Sequence, residues 1–270
     1  DCGSDQAPKI IGTGTEQVEE NLKLFFPAAR ILRMDRDTLH GKHALSKMHD
    51  RIHRHEVDIV IGTQLVTKGH DFPEVTLVGV ILSDLSLNIP DFRASERTFQ
   101  LLTQVAGRAG RGHKPGEVLI QTHNPRHHSL LCAKEHDTRQ FRKLELEQRQ
   151  QLRMPPFHSL TMVVCSSPHE ERAESLIREI AEKILVISSK KSASQTLKLS
   201  EKAKRFDTVQ VIGPIEAPMK KLRNRFRWQL LLKANDVRPL LRLLIQIFET
   251  PPLTRRDELI QIDVDPHNLM

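Results

Sequence analysis

Cysteine is scarce in this chain: Cys2, Cys132 and Cys165 are the only three among 270 residues. They are too few and too scattered for a disulfide framework, so the expected setting is a reducing one, the cytoplasm. Long apolar runs are missing as well. None approaches the roughly 18 residues of a membrane span, and no membrane partner is expected. The polar, acidic start carries no leader pattern, and no repeat or low-complexity tract interrupts the chain. Two further absences bear on chemistry. There is no G-x-x-x-x-G-K-[ST] phosphate cradle, because Gly41-Lys42 lacks both the earlier glycine and the following hydroxyl. Nor is there an acidic Asp-Glu-x-His box to hold Mg²⁺. Without these parts the chain alone is expected not to hydrolyse a nucleoside triphosphate. Metal-ligand spacing is absent too. Cys2 is an orphan zinc-type cysteine, His70 has no second ligand near it, and His127-His128 read as loop histidines.

What is present describes a soluble globular chain, 38% hydrophobic and 28% charged, of a length that suits two ordinary domains. Residues 9 to 122 alternate two periodicities. Strands are expected at Lys9–Gly12, Ile31–Met34, Val57–Ile61, Val75–Leu82 and Glu117–Gln121. Helices are expected at Thr15–Phe26, on Val18 and Leu22, and at Ala44–His55, on Leu45, Met48 and Ile52. A further helix follows Asp91, an N-cap candidate, with Ala94, Thr98, Leu101, Leu102 and Val105 at helical spacing. Alternation of this kind predicts a parallel sheet covered on both faces.

Two stretches stand out within it. Gly62 to Pro73 is a polar, glycine-containing loop after a buried strand, where open α/β sheets place their ligands. Gln104 to Arg111 ends the motif helix with Gly107, Arg108, Gly110 and Arg111. Guanidinium forks pair two donors with phosphate oxygens and keep their charge, so the two arginines are candidate anion contacts. A glycine-capped helix end with solvated arginines is the alternative. A turn residue is the alternative reading of Asp71 and a solvated loop lysine that of Lys68, while Asp35 and Asp37 read as caps.

Together these stretches resemble motifs V and VI of superfamily two helicases. The string Asp91-Phe92-Arg93-Ala94-Ser95-Glu96-Arg97, with Gly12-Thr13-Gly14-Thr15-Glu16 and Ile262-Asp263-Val264-Asp265-Pro266, resembles the PriA family of primosomal helicases, which restart stalled replication forks. The resemblance covers nearly the whole chain and implies the C-terminal half of such a protein. It implies that residues 9–125 form the second RecA-like lobe, and that residues 1–8 are the remnant of a zinc-binding region lying upstream. It further implies roles by position. Thr63, Gln64 and Lys68 would contact nucleic acid, and Gly69 and Asp71 the nucleotide. Gln104, Arg108 and Arg111 would be the catalytic set facing the γ-phosphate of ATP bound with Mg²⁺. Gln104 stands where many relatives have His, and Val105 where other branches have Arg. DNA, primosome proteins and single-stranded DNA-binding protein are the implied partners, and 3′-to-5′ unwinding the implied direction.

Residues 126–157 read as a connector, strongly helical and charged from 129 to 153. After it the order strand, helix, strand, strand, helix, strand is expected: Thr161–Ser166, Glu170–Val186, Val209–Ile212, Arg227–Lys233, Pro239–Phe248 and Leu259–Val264. That order predicts a ferredoxin-like α+β domain over 158–270, with one sheet face free. Residues 188 to 208 read as a mobile loop. Residues 190 to 228 hold eleven Lys or Arg against Glu201, Asp207 and Glu216, a surplus that exceeds the net +7 of the whole chain. Lys220, Lys221, Arg223 and Arg225, beside Phe226 and Trp228, are therefore candidate phosphate contacts. Strand alternation points Trp228 to the core. Two functions fit: part of an ATP-dependent helicase, inactive without its other lobe, or a non-catalytic nucleic-acid-binding protein on a degenerate helicase lobe.

Overall fold

The computed structural model describes residues 14–35, 38, 44–63, 75–81, 83–107, 109, 115–194, 209–248, 257–267 and 269. The chain divides into two compact units, residues 1–89 with 94–142, and residues 90–93 with 143–270. Both combine helices with sheet, parallel in the first unit and antiparallel in the second.

In the first unit, helix α1 (Thr15–Phe25) precedes strand β1 (Ile31–Met34), and helix α2 (Ala44–His53) precedes β2 (Ile59–Gly62). Strands β1 and β2 pair in parallel, Ile31 opposite Ile59 through Met34 opposite Gly62. Leu32 and Met34 form a small core on which Met48, Ile52, Val57, Val60 and Val75 pack. Strand β3 (Leu77–Val80) leads through a single turn, α3 (Asp84–Leu87), to helix α4 (Ala94–Ala106). It pairs in parallel with β4 (Glu117–Ile120). This pair is not covered on both faces as expected: Leu77 is 57% and Leu119 55% exposed. They share a face because their register, Leu77 opposite Glu117 and Gly79 opposite Leu119, puts Val78, Val80, Val118 and Ile120 on the other. The buried stripe of α4 is Ala94, Thr98, Phe99, Leu102 and Val105, with Phe99 stacked on Phe141 at 4.0 Å.

The helical stretch expected over 129–153 is made of two helices, α5 (His128–Lys134) and α6 (Thr138–Gln151). His136, at φ 52°, turns the chain between them, and Asp137 accepts from the Gln140 amide at 2.8 Å to start the second. The expected strand at Lys9–Gly12 lies outside the described residues.

The second unit runs β5 (Ser159–Ser167), α7 (Glu170–Ser194), β6 (Gln210–Leu222), β7 (Arg225–Ala234), α8 (Val237–Phe248) and β8 (Leu259–Val264). Its sheet has the order β6-β7-β5-β8, every neighbour antiparallel. Val163, Cys165, Leu230, Leu232 and Ala234 meet Leu176, Ile177, Ile180 and Ile184 of α7 and Leu240, Leu243, Leu244 and Ile247 of α8 in one core. Trp228 packs against its edge. The second sheet face is not free as expected. Leu160, Met162 and Val164 are buried there, and buried Lys233 donates to the Leu152 carbonyl at 3.1 Å.

Two elements outrun their sequence signals. Helix α7 continues to Ser194, into the expected loop, because no glycine or proline stops it. Residues 195–208 lie outside the described residues. Strand β6 extends ten residues past Ile212, to Leu222. As an edge strand it tolerates Pro214 and Pro218, and register shifts at Ile212/Ile215 and Glu216/Lys221 absorb them. The first shift turns on Gly213, at φ 102°, where an added Cβ would stand 3.1 Å from the Gln229 carbonyl oxygen. Gly213→Ala is expected to destabilise the second unit by about 1–3 kcal/mol. Urea unfolding followed by fluorescence of Trp228, the chain's only tryptophan, checks it; an unshifted midpoint would refute it.

Candidate nucleotide-site residues and nucleic-acid interface

The carboxyl ends of the parallel strands carry polar side chains that fix the loops leaving them. Asp35 follows β1 and is buried. It accepts from the Thr15 hydroxyl at 2.7 Å and the Thr38 amide at 2.9 Å, and lies 3.0 Å from Arg33 Nε. The Thr15 bond, above all, draws its carboxyl below the ordinary range; burial opposes the shift, and Thr38 and Arg33 add to it. Asp84, beyond β3, accepts from the Thr122 hydroxyl and the His123 amide, both at 2.8 Å, tying the loop after β3 to the loop after β4. Burial alone would raise its carboxyl, but the donors from His123 and Thr122 outweigh it and hold the carboxyl low. Thr63 follows β2 directly and is exposed. Gln64, Lys68, Gly69, His70 and Asp71 lie outside the described residues.

Helix α4 carries the arginine stretch at its C-terminal end. Val105 faces the core while Gln104, on the last turn, is exposed. The Gly107 amide donates to the Thr103 carbonyl at 3.1 Å and closes the helix. A Cβ on Gly107 would meet only carbonyl oxygens at 3.6 Å, an ordinary contact, so packing here does not demand glycine. Arg108 and Arg111 lie outside the described residues. Asp91 accepts from the Arg93 amide at 2.9 Å, as a residue before a helix does.

The basic segment is a hairpin arm. Arg223 and Asn224, at φ 51° and 60°, make the two-residue turn between β6 and β7. Positive φ at both positions matches the right-handed twist of the flanking strands. Lys220 lies 2.7 Å from Glu170 and 3.2 Å from Glu216, which hold its ammonium pKa above the usual lysine value. Lys221 stands 4.6 Å over the Phe226 ring. Arg225 is used internally: its Nη2 donates to the Ser166 carbonyl at 2.9 Å and the Asp257 carbonyl at 2.7 Å. Lys221 and Arg223 are exposed. Of the four candidate cations, then, two already serve the fold and two face outward at the tip.

Cys2, the zinc-type cysteine, lies outside the described residues, among which no group of three His, Cys, Asp or Glu side chains could hold a metal. His127 caps α5, its Nδ1 accepting from the Ser129 amide at 3.3 Å, and His128 stacks on Phe141. No described helix is long and apolar enough to cross a membrane.

Residues 150–267 match the family described as the primosomal protein N C-terminal domain. The whole chain aligns with the replication restart protein PriA of Bacillus subtilis, 39% identical over 272 residues and 32% of that protein's length. The Haemophilus influenzae protein of the same name is 36% identical over the whole chain and 34% of its own length. That of Synechocystis is 37% identical over 96% of this chain and 29% of its own. The chain belongs to the PriA family. It spans about a third of the length of the curated PriA relatives it matches. The matched PriA domain coincides with most of the second unit, which also takes in residues 90–93 and 143–149. Sequence reasoning missed Asp84 with its Thr122 and His123 donors. Their pairing joins positions 38 and 39 residues apart, and no local spacing signals it.

Asp35 gives a pH test. Its folded pKa lies below the unfolded 3.8, so its contribution is full above 3.8 and fades as pH falls through the folded value. Thr15→Val removes the main donor and is expected to cost about 1–2 kcal/mol at neutral pH. Melting curves of the two proteins should converge well below pH 3.8; a constant gap would assign the loss to packing.

Proposed function

We propose that this chain is the C-terminal part of an ATP-dependent DNA helicase of the primosome, a cytoplasmic protein that restarts stalled replication forks. The observation that carries this reading is the alignment of the whole chain with proteins named replication restart protein PriA. In this reading residues 9–125 are a second RecA-like lobe, which the parallel strand pairs support. Residues 158–270 are a ferredoxin-like domain, supported by the antiparallel order β6-β7-β5-β8 with both helices in one core. Residues 126–157 connect them.

ATP with Mg²⁺ is the proposed cofactor, and zinc would belong to a segment upstream of Cys2. The donor set suits a triphosphate: Gly69 and Asp71 would face the nucleoside, and Arg108 and Arg111 the γ-phosphate, with Gln104 on the helix that presents them. Arginines in that place stabilise charge that grows on the equatorial oxygens during phosphoryl transfer. This chain holds no P-loop, so the other half of the site must come from another lobe. Thr63, Gln64 and Lys68 would touch the nucleic-acid backbone at the end of β2. Primosome proteins and single-stranded DNA-binding protein are the proposed protein partners.

DNA would also meet the hairpin arm, where Lys221 and Arg223 project at the turn. Lys220 would join them only by leaving Glu170 and Glu216. Such contacts neutralise phosphates without reading bases, so binding should be indifferent to sequence.

Two measurements test this. ATP turnover stimulated by DNA should be absent from the chain alone. It should appear when a P-loop lobe is supplied, and then fall by about 10³ or more with Arg111→Ala. Turnover by the isolated chain would refute the shared site, and none even with the second lobe would favour a non-catalytic nucleic-acid-binding protein. Lys221→Ala with Arg223→Ala should lower the slope of log K against log salt by roughly 1 to 2 for single-stranded DNA. An unchanged slope would place the DNA surface elsewhere.

A further inference from the structure

The sheet of the C-terminal unit ends in β6 on one side and β8 on the other, and the two edges are built in opposite ways. Strand β6 carries Pro214, Pro218, Lys220 and Lys221, and its register with β7 shifts twice. Each of these features discourages a further strand from pairing. Strand β8 has none of them. Between Leu259 and Val264 there is no proline, lysine or arginine. Its register with β5 runs unbroken from Thr161 opposite Val264 to Ser166 opposite Leu259.

Hydrogen bonding gives the direction of the strand's outer groups. The Asp265 amide donates to the Leu160 carbonyl at 2.8 Å. In an antiparallel pair, residues bonded to their opposites alternate with residues whose N–H and C=O point away. Counting back from Asp265, it is Asp263, Gln261 and Leu259 that face β5, opposite Met162, Val164 and Ser166. Ile260, Ile262 and Val264 therefore turn their amides and carbonyls out of the sheet, where no described strand receives them. The side chains suit the same use. Ile262 and Val264 are 42% and 37% exposed on the face that bears the helices, and Leu259 is 47% exposed on the other.

Charge selects the occupant. Asp257, Glu258, Asp263 and Asp265 fall in a stretch, Asp257 to Pro266, that contains no Lys or Arg. Two guanidinium groups stand at its ends, Arg225 on the Asp257 carbonyl and Arg93 on the Pro266 carbonyl, so an acidic excess remains. Such an edge repels nucleic acid. A second copy of β8 would bring like charges together.

We infer that β8 is a docking edge for an extended segment of a partner protein in which apolar residues alternate with Lys or Arg. The segment adds as a fifth strand, its backbone bonded to Ile260, Ile262 and Val264. Its apolar side chains lie beside Ile262 and Val264, and its cations beside exposed Asp263. This edge is the one opposite the basic arm, so the partner and DNA use different residues. The docking edge stands whether or not the chain serves an ATP site.

The probe is a synthetic peptide of roughly eight residues alternating Val and Lys, with a copy carrying Glu for Lys as control. In the free chain, amide exchange followed by NMR should be fast at Ile260, Ile262 and Val264 and slow at Gln261 and Asp263. Saturating Val/Lys peptide should slow the first three by about tenfold or more, and the Glu copy should leave them unchanged. Asp263→Lys should weaken binding of the Val/Lys peptide by about tenfold. Ile262→Pro removes an outward N–H that β5 does not use, and should weaken binding comparably while β5 amides keep their protection. If Ile262→Pro does not fold, Asp263→Lys still decides. No protection by the Val/Lys peptide, equal protection by both peptides, or unchanged affinity in Asp263→Lys overturns the proposal. So does protection that rises with chain concentration alone and a dimer in sedimentation, which would give the edge to a second copy.

Discussion

The C-terminal unit depends on strand β5, which water reaches from neither side. Eight of its nine residues are buried. Val163 and Cys165 face the core built with α7 and α8, while Leu160, Met162 and Val164 are buried on the opposite face. Each such side chain removed from water is worth about 1.5–3 kcal/mol, so this strand cannot be displaced without dismantling both layers. Burial also pushes the Cys165 thiol up to about 12, leaving it a packing group without nucleophilic character. The two ends of β5 then place what lies beyond them. At one end Ser166 receives Arg225, the residue just after the hairpin turn. At the other, Leu160 exchanges bonds with Asp265 at 2.8 and 3.2 Å, setting where the chain goes after β8. The arm and the segment that meets Arg93 are thus positioned from the same strand.

Charge on the basic segment is not the same as charge offered to a ligand. Lys220 sits between two carboxylates and Arg225 spends its donors on carbonyls, so a count of cations overstates the surface available to phosphate. Glu170 opens helix α7, and its pairing with Lys220 ties the arm to that helix. Lys233 extends the point inside the unit. Burial, with Arg153 adding to it, lowers its pKa, and its ammonium is used on the Leu152 carbonyl at the end of α6. A cation placed at a helix C-terminus completes the dipole there. These are structural uses of positive charge that composition cannot separate from nucleic-acid contacts.

What sequence periodicity revealed and what it hid follow from range. The stripe of α4 was readable because helical spacing is local; only Leu101 proved half-buried while Phe99 took its place against Phe141, a partner 42 residues away. Strands β1 and β8 have the expected limits, since apolar runs mark them without competing signals. Strand β6 looked four residues long because Gly213, Pro214 and Pro218 read as breakers, and only an edge position with bulges makes them tolerable. The Ser- and Lys-rich end of α7 looked like loop because composition, unlike hydrogen bonding, registers polarity alone. The break between α5 and α6 rests on one residue in the left-handed region, His136, which no glycine advertised. Of the candidate site, the outward face of Gln104 was readable from helical phase. The engagement of Lys220 and Arg225 was not, because their partners lie far along the chain.

Helix α4 shows how a functional end is built on a structural body. Its stripe from Ala94 to Val105 must be buried for the helix to exist, and that requirement fixes its rotation about its own axis. Rotation fixed, Gln104 can only face outward, one position before buried Val105. The helix then closes on the Gly107 amide, which donates to the Thr103 carbonyl. Before its first turn, Asp91 accepts from the Arg93 amide at 2.9 Å, and the Arg93 guanidinium lies 4.5 Å from the centroid of the Phe92 ring. Packing of the stripe therefore sets the rotation of the helix.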